Sequence, residues 1–214
     1  MPRRMPPFDR VLLGHANTAV AIARAGEFAH TAGSPTVRRE WSTVKLEALY
    51  ELAFLRVFAA WEMCLEAVFY RSLCGYASAA GQETLVNGTY YPSLKTAEAA
   101  VLGPKKSYLL WHEPQQVINR CRGYIASGPC VQETTIASNL ARLGHLAATR
   151  HRIVHHQDDA KKKFDNATLA FTGRTYAASR PGKFLRDWDT SRIPNRRWLE
   201  VTVAELAALT RQMV

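Results

Sequence analysis

The seven residues from Arg150 to His156 read Arg-His-Arg-Ile-Val-His-His, and their types could do chemistry. Three imidazoles and two guanidinium groups fall within two turns of a predicted helix. Packing alone does not require this composition. Such side chains would instead bind a polyanion, and above all a phosphate. Histidine can donate or accept a proton near neutral pH, and arginine stays cationic and can bind two phosphate oxygens. The heptapeptide therefore predicts a phosphate site that can also transfer protons.

The spacing within the heptapeptide predicts which side chains can meet. At about 100° per helical residue, His151 and His155 lie on nearly the same face. Arg150 and His155 are five residues apart, which places them about 140° apart around an ideal helix. They can converge if the arginine swings back or if the helix ends near His155. The pair Asp158-Asp159 resembles the N-cap of a following helix, which predicts an interruption near His156.

Other roles are open for these residues. A single histidine on a helix is more often structural than catalytic. Arg150 could form a buried ion pair, for example with Glu62. His151 and His155 have the spacing of two metal ligands, but no neighbouring cysteine or acidic residue completes a metal site locally.

The charge balance favours anionic partners. The chain of 214 residues has 28 Lys and Arg against 18 Asp and Glu, a net charge of +10. The excess is densest after residue 149, where 13 Lys and Arg face 7 Asp and Glu. This points to nucleic acid, although a basic surface can also serve solubility alone. The basic residues that we predict to contact RNA are Arg152, Lys161, Lys162, Lys163, Lys183 and Arg186.

Length and composition fit one domain with a real hydrophobic core, since 47% of the residues are hydrophobic. We expect residues 1–35 to form an N-terminal arm and first helix, part of the same domain as the helical body at 36–214. The four cysteines form no C-x-x-C pair, which predicts free thiols and a reducing, cytoplasmic location. No apolar run approaches the ~18 residues of a membrane span, so no membrane partner is expected. The Arg-rich start lacks the features of a targeting peptide, and we expect mature protein from the first residue.

Apolar periodicity predicts an all-α bundle of about six or seven helices. The predicted helices cover residues 8–28, 37–73, 93–102, 114–125, 132–156, 158–172 and 202–213, with a break at 127–129 and an irregular basic connection over 173–198. The last helix is predicted to open on a capping-box pattern from Thr202 to Glu205. The longest helix has an apolar seam that predicts tight contact with other helices or with a second copy, formed by Leu46, Tyr50, Ala53, Val57, Trp61, Cys64 and Val68.

The heptapeptide in this setting resembles the HEPN superfamily, whose signature is an Arg, a polar residue, a short spacer with aliphatic residues and a His. Arg and His at this spacing are not specific by themselves, because Arg10 and His15 repeat it. The likeness spans residues of about 40–190 and includes the stretches Glu51–Glu62 (ELAFLRVFAAWE), Tyr108–Trp111 (YLLW) and Lys183–Arg186 (KFLR). Family members often carry Asn after the Arg, where this chain has His151, and the difference bears on the substrate.

The resemblance implies a HEPN-like helical bundle and metal-independent cleavage of RNA, without a cofactor, in a homodimer whose two motifs share one composite active site. Attack by the RNA 2′-hydroxyl would leave a 2′,3′-cyclic phosphate. Arg150 would bind the phosphate, and His155 would transfer a proton or orient the 2′-hydroxyl. His156, His151 and Glu62 would have second-rank catalytic roles. Such a protein would act as a toxin or phage-defence effector, with an antitoxin or regulatory protein as a further partner.

Two other functions are compatible with the same residues. A non-catalytic HEPN module would bind RNA or a nucleotide, dimerise with a partner, and keep the motif for packing or phosphate contact. An unrelated helical interaction protein would carry the motif by chance. RNA binding without cleavage would indicate the first, and separate environments for Arg150 and His155 would indicate the second.

Overall fold

The computed structural model describes residues 3–104, 108–126, 130–191 and 193–214. Helices dominate, which confirms the predicted all-α class. The α-helices of the described residues are α1 (Phe8–Ala32), α2 (Pro35–Glu40), α3 (Thr43–Leu73), α4 (Leu94–Leu102), α5 (Pro114–Tyr124), α6 (Val131–Ser138), α7 (Leu140–Val154), α8 (Asp158–Thr172), α9 (Pro181–Arg186) and α10 (Trp198–Met213). Within that part of the chain there are ten, rather than six or seven.

Four two-residue strands complete the secondary structure. Strand β1 (Arg3–Arg4) pairs in parallel with β2 (Tyr76–Ala77), and β3 (Trp188–Asp189) pairs antiparallel with β4 (Arg196–Arg197). The predicted irregular connection over 173–198 is therefore wrong in part, because it contains α9, both strands of the second pair and a 3-10 turn at Ala177–Ser179. The break predicted at 127–129 lies outside the described residues.

Two predicted long helices are each divided in two. The helix predicted over 37–73 is α2 followed by α3, with the interruption at Trp41 and Ser42. The helix predicted over 132–156 is α6 followed by α7, with the interruption at Asn139. There the Asn139 side-chain amide donates to the Thr135 carbonyl at 2.9 Å, the acceptor that an unbroken helix would offer to the Asn139 backbone N–H. The asparagine thus replaces one helical hydrogen bond and allows the turn.

The start of α10 corrects the predicted capping box. Thr202 lies inside the helix and is buried, so it caps nothing. The helix begins at Trp198, and the Glu200 carboxylate accepts the backbone N–H of Arg197 at 3.4 Å. This is the reach-back contact of a capping box, made five residues earlier than the sequence pattern indicates.

The described chain groups into two compact units. The first unit comprises residues 1–11, 61–144 and 207–214. Its core is aromatic and aliphatic, with the Phe69 and Trp111 rings 5.5 Å apart between centroids. Other buried members of this core are Trp61, Leu65, Leu73, Val117, Ile118, Cys121 and Ile136.

The second unit comprises residues 12–60 and 145–206 and contains the Arg/His heptapeptide. Phe184 of α9 is fully buried and lies 6.1 Å from Phe164 of α8, ring to ring. Helix α9 packs with its backbone directly against α3, because Gly182 has no side chain and a methyl group there would overlap the Glu47 carbonyl. Other buried residues of this unit are Leu12, Leu46, Tyr50, Phe54, Val57 and Phe58.

The predicted seam of α3 is buried throughout. Its members between Leu46 and Val57 belong to the second unit, and those from Trp61 to Val68 belong to the first. The seam therefore packs inside the protein, which settles the choice left open between internal packing and contact with a second copy.

Candidate functional site

The Arg/His heptapeptide lies at the C-terminal end of α7. The helix ends at Val154, and the His155 backbone N–H makes a last helical bond to the His151 carbonyl at 2.8 Å. Helix α8 begins at Asp158, with Gln157 rather than an aspartate at the N-cap. The predicted interruption near His156 is confirmed. It leaves His155 and His156 exposed in a short connection between two helices.

His151 and His155 are brought together as the four-residue spacing predicts. Their ring centroids are 4.5 Å apart and the ring planes are tilted by 44°. His151 is half-buried on the helix, whereas His155 is exposed beyond its end. Two imidazoles at this separation can contact the same small anion.

Arg152 fixes the connection rather than extending freely into solvent. Its Nε donates to the Ser179 carbonyl at 3.2 Å and its Nη1 donates to the His155 carbonyl at 3.4 Å. Both acceptors are neutral carbonyls, so these bonds orient the guanidinium without neutralising its charge. Arg152 therefore links the residue after α7 to a turn 27 positions later in the chain.

That turn has an unusual backbone. Ala178 and Ser179 have φ values of 58° and 47°, in the left-handed region that residues other than glycine seldom adopt. Ser179 is held there on several sides: its hydroxyl donates to Asp165 at 2.7 Å and its N–H donates to the Tyr176 carbonyl at 2.8 Å. Strained backbone of this kind costs about 1–3 kcal/mol per residue and is concentrated at functional sites. The sequence offers no signal for it, because no glycine or asparagine occupies either position.

A groove of roughly 290 Å³ adjoins the heptapeptide within the second unit. Its polar lining includes Arg152 and His156 from the heptapeptide, Arg180, and the carboxylates Glu47 and Glu51 of α3. Arg180 forms an ion pair with Glu47. The groove therefore contains both proton-transfer groups and cations, with one acidic side chain neutralised by a neighbour.

Glu51 is a titratable residue of this groove that the sequence pattern does not single out. Burial raises its pKa, and the nearby Glu47 charge acts in the same direction. The Gly182 N–H, which donates to Glu51 at 2.9 Å, and the Arg152 and His156 charges partly offset that rise. A carboxyl group with a raised pKa in a groove is a candidate proton donor or acceptor.

The remaining predicted catalytic residues have different surroundings. Arg150 is half-buried on α7, directly before His151. Glu62 belongs to the first unit, where its carboxylate faces the His112 imidazole at 3.8 Å and both side chains are largely buried. The catalytic roles of these two residues stay predictions.

The predicted RNA-binding residues divide into exposed and internally bonded side chains. Lys161, Lys162 and Lys163 are exposed near the start of α8, and Lys163 also pairs with Asp159 at 2.7 Å. Lys183 is exposed and lines a second cavity of roughly 330 Å³.

Arg186, in contrast, is bonded inside the protein. Two of its nitrogens donate to the Glu27 carboxylate, at 2.5 and 3.2 Å, and Arg197 forms a third contact with that carboxylate at 3.4 Å. Burial works to raise the pKa of Glu27, but the two arginines together hold it below its usual value. The guanidinium of Arg186 therefore has a clear structural use, besides the RNA contact that we predicted for it.

Comparison with known proteins adds no relative: the chain matches no protein-family model, and neither the curated proteins nor the solved structures show a significant similarity to it. Over the described ranges, no group of three or more His, Cys, Asp or Glu side chains is arranged to hold a metal ion. No helix in the same ranges is both long and apolar enough to cross a membrane.

Proposed function

We propose that this chain is a metal-independent endoribonuclease of the HEPN type. The observation that carries the proposal is the contact of His151 with His155 at the exposed end of α7, where Arg152 donates to the His155 carbonyl. Paired imidazoles next to cationic guanidinium groups suit a phosphodiester that must be bound and cleaved. The nearby groove offers space for a nucleotide segment.

The reaction assigned to this site uses the substrate's own 2′-hydroxyl. That oxygen attacks phosphorus, the bond to the 5′-oxygen breaks, and a 2′,3′-cyclic phosphate remains. His155 takes the 2′-hydroxyl proton or orients that group, and Arg150 stabilises the charge on the phosphoryl oxygens. In this proposal His156, which lines the groove, contacts the same substrate, and His151 orients His155 through the ring contact.

A homodimer would supply the second proton-transfer group, because one His155 cannot both accept the first proton and donate the second in one step. The exposed start of α3 offers a surface for this contact. Val44 and Leu52 are 70% and 64% exposed and lie on one helix face, together with Ala48. Val44 and Ala48 also line the groove, so a partner seated there would complete the site. In this proposal the enzyme is a toxin or phage-defence effector that an antitoxin or regulatory protein controls.

The test is cleavage of RNA by the purified protein in the presence of EDTA. Wild type should shorten the RNA and leave cyclic phosphate ends, and the double variant Arg150→Ala/His155→Ala should lose at least about 100-fold of the rate. The matched control is Arg10→Ala/His15→Ala, which removes the same residue types at the same spacing from α1 and should cut like wild type. Intact RNA with wild type, or equal rates for both double variants, would refute the proposal. Salt-dependent RNA binding without cleavage would instead indicate the non-catalytic module.

A further inference from the structure

Two cysteines of the first unit form a hydrogen-bonded cluster that the proposed RNA chemistry does not use. Cys130 occupies the N-cap of α6, and its sulfur accepts the Glu133 backbone N–H at 3.4 Å. A sulfur at this position faces the positive end of the helix dipole, which favours the thiolate over the thiol.

Cys121 lies on the preceding helix, α5, and is fully buried. Its thiol faces the Gln132 side-chain oxygen at 4.0 Å, and Gln132 follows Cys130 by two positions. Gln132 is itself buried and anchored, because its amide donates to the Leu65 carbonyl at 2.9 Å. Gln132 therefore fixes Cys121 beside the start of α6, where Cys130 caps the helix.

The surroundings give the two thiols different acidities. The hydrogen bond from Cys121 lowers the pKa of Cys130, and the Glu133 and Gln132 backbone N–H groups add to this effect against the cost of burial. The same hydrogen bond and burial raise the pKa of Cys121. Cys130 is therefore the nucleophile of the pair, and Cys121 supplies the second sulfur.

A cavity of roughly 460 Å³ gives access to Cys130 within the same unit. Cys130 and Gln132 line it, together with the polar residues Ser72, Ser78, Gln82 and Glu83. The lining suits a small polar molecule, and the volume lies in the range of small-molecule sites.

We propose that Cys130 and Cys121 are a redox-active thiol pair that a small disulfide, of the glutathione disulfide class, oxidises to an intramolecular disulfide. The Cys130 thiolate attacks one sulfur of the small disulfide, whose S–S bond breaks and releases one small thiol after protonation. Cys121 then attacks the Cys130 sulfur, and its proton passes to the second small thiol as that thiol departs. Two protein thiols are oxidised and one small disulfide is reduced to two thiols.

The other cysteines provide an internal comparison. Burial raises the pKa of Cys64 to about 11 and also raises the pKa of Cys74. Neither should compete with Cys130 for a thiol reagent, since the thiolate is the reactive form and each pKa unit changes its fraction about tenfold.

The experiment treats the intact, folded chain with glutathione disulfide and maps the products by mass spectrometry of unreduced peptides. Wild type should yield a Cys121–Cys130 disulfide, Cys121→Ser should stop at a glutathione adduct on Cys130, and Cys74→Ser should behave like wild type. A limiting dose of iodoacetamide should label Cys130 at least about tenfold faster than Cys74. Equal labelling of the two, or adducts on Cys130 in wild type with no bridge to Cys121, would overturn the proposal. The wild-type measurements need no variant to fold, and they are independent of RNA cleavage.

Discussion

The Glu51 carboxylate accepts the backbone N–H of Gly182 at 2.9 Å, across 131 positions of the chain. The contact joins α3 to α9 beside the groove at the end of α7. It also places a half-buried carboxyl group near Arg152 and His156. Burial and the Glu47 charge raise the pKa of Glu51, and the charges of Arg152 and His156 offset only part of that rise. The stability of this region should therefore depend on pH.

Glu51→Gln should become more stable relative to wild type as the pH rises. Because the folded-state pKa of Glu51 is raised, the unfolded chain ionises first, and wild type loses stability as pH rises from the unfolded value of about 4.5 towards the folded one. Glutamine can still accept the Gly182 N–H but does not titrate. Urea unfolding at about pH 4 and about pH 7 measures the difference. A loss of stability for Glu51→Gln that grows with pH would contradict the assignment.

Glu27→Gln should behave in the opposite sense. Its folded-state pKa is lowered, so the Arg186 and Arg197 contacts stabilise the fold above the unfolded pKa of about 4.5 and lose that effect as pH falls through the folded value. We expect a loss of about 2–4 kcal/mol near pH 7, because removing one partner leaves buried guanidinium charge behind. The loss should shrink in acid, as measured by chemical unfolding across pH. A constant loss at all pH values would show that packing, and not the ion pairs, is responsible.

Ala178→Gly should stabilise the protein. A φ of 58° costs an L-residue about 1–2 kcal/mol in the folded state. Glycine avoids that cost, and the greater entropy of its unfolded chain offsets only part of the gain, so the free energy of unfolding should rise by up to about 1 kcal/mol. Ala177→Gly, in the same turn but outside the left-handed region, should destabilise by about 0.5–1 kcal/mol. Thermal unfolding of the two variants compares them directly, and equal shifts would show that the turn is unstrained.

Arg152→Ala should destabilise the protein by about 1–3 kcal/mol, because the Ser179 and His155 carbonyls lose their donor. The exposed Lys162→Ala on α8 should change stability by less than about 0.5 kcal/mol. Denaturant midpoints measure both. If Arg152→Ala is as stable as wild type, the arginine does not fix the connection, and a direct role in binding RNA becomes its main explanation.

Local chemistry in the sequence predicts much of the helical framework. The interruption after Val154, the buried seam of α3 and the approach of His151 to His155 all follow from helical spacing and from the acidic start of α8. The division of the predicted helix at Asn139 is harder to predict, because it depends on whether the Asn139 side-chain amide takes the place of its backbone N–H as a hydrogen-bond donor.

The groove beside the heptapeptide could not be predicted in the same way. The position of Glu51 depends on Gly182, far along the chain, and the left-handed turn at Ala178 and Ser179 depends on Asp165 and Tyr176. None of these pairings has a sequence signal at short range. Tertiary packing determines these pairings. The prediction of an irregular segment over 173–198 therefore missed the ordered turn that lines the groove.

We propose that Arg150 and His155 act together on an RNA phosphodiester without a metal ion. The most direct measurement is the rate at which a defined RNA is cut in EDTA by wild type, by each single alanine variant and by both changes combined. We expect a cyclic phosphate product and a combined loss of rate well below the product of the two single losses, because the effects of residues that act as a unit are not additive. Wild-type protein that leaves RNA intact, or variants that cut as fast as wild type, would contradict it.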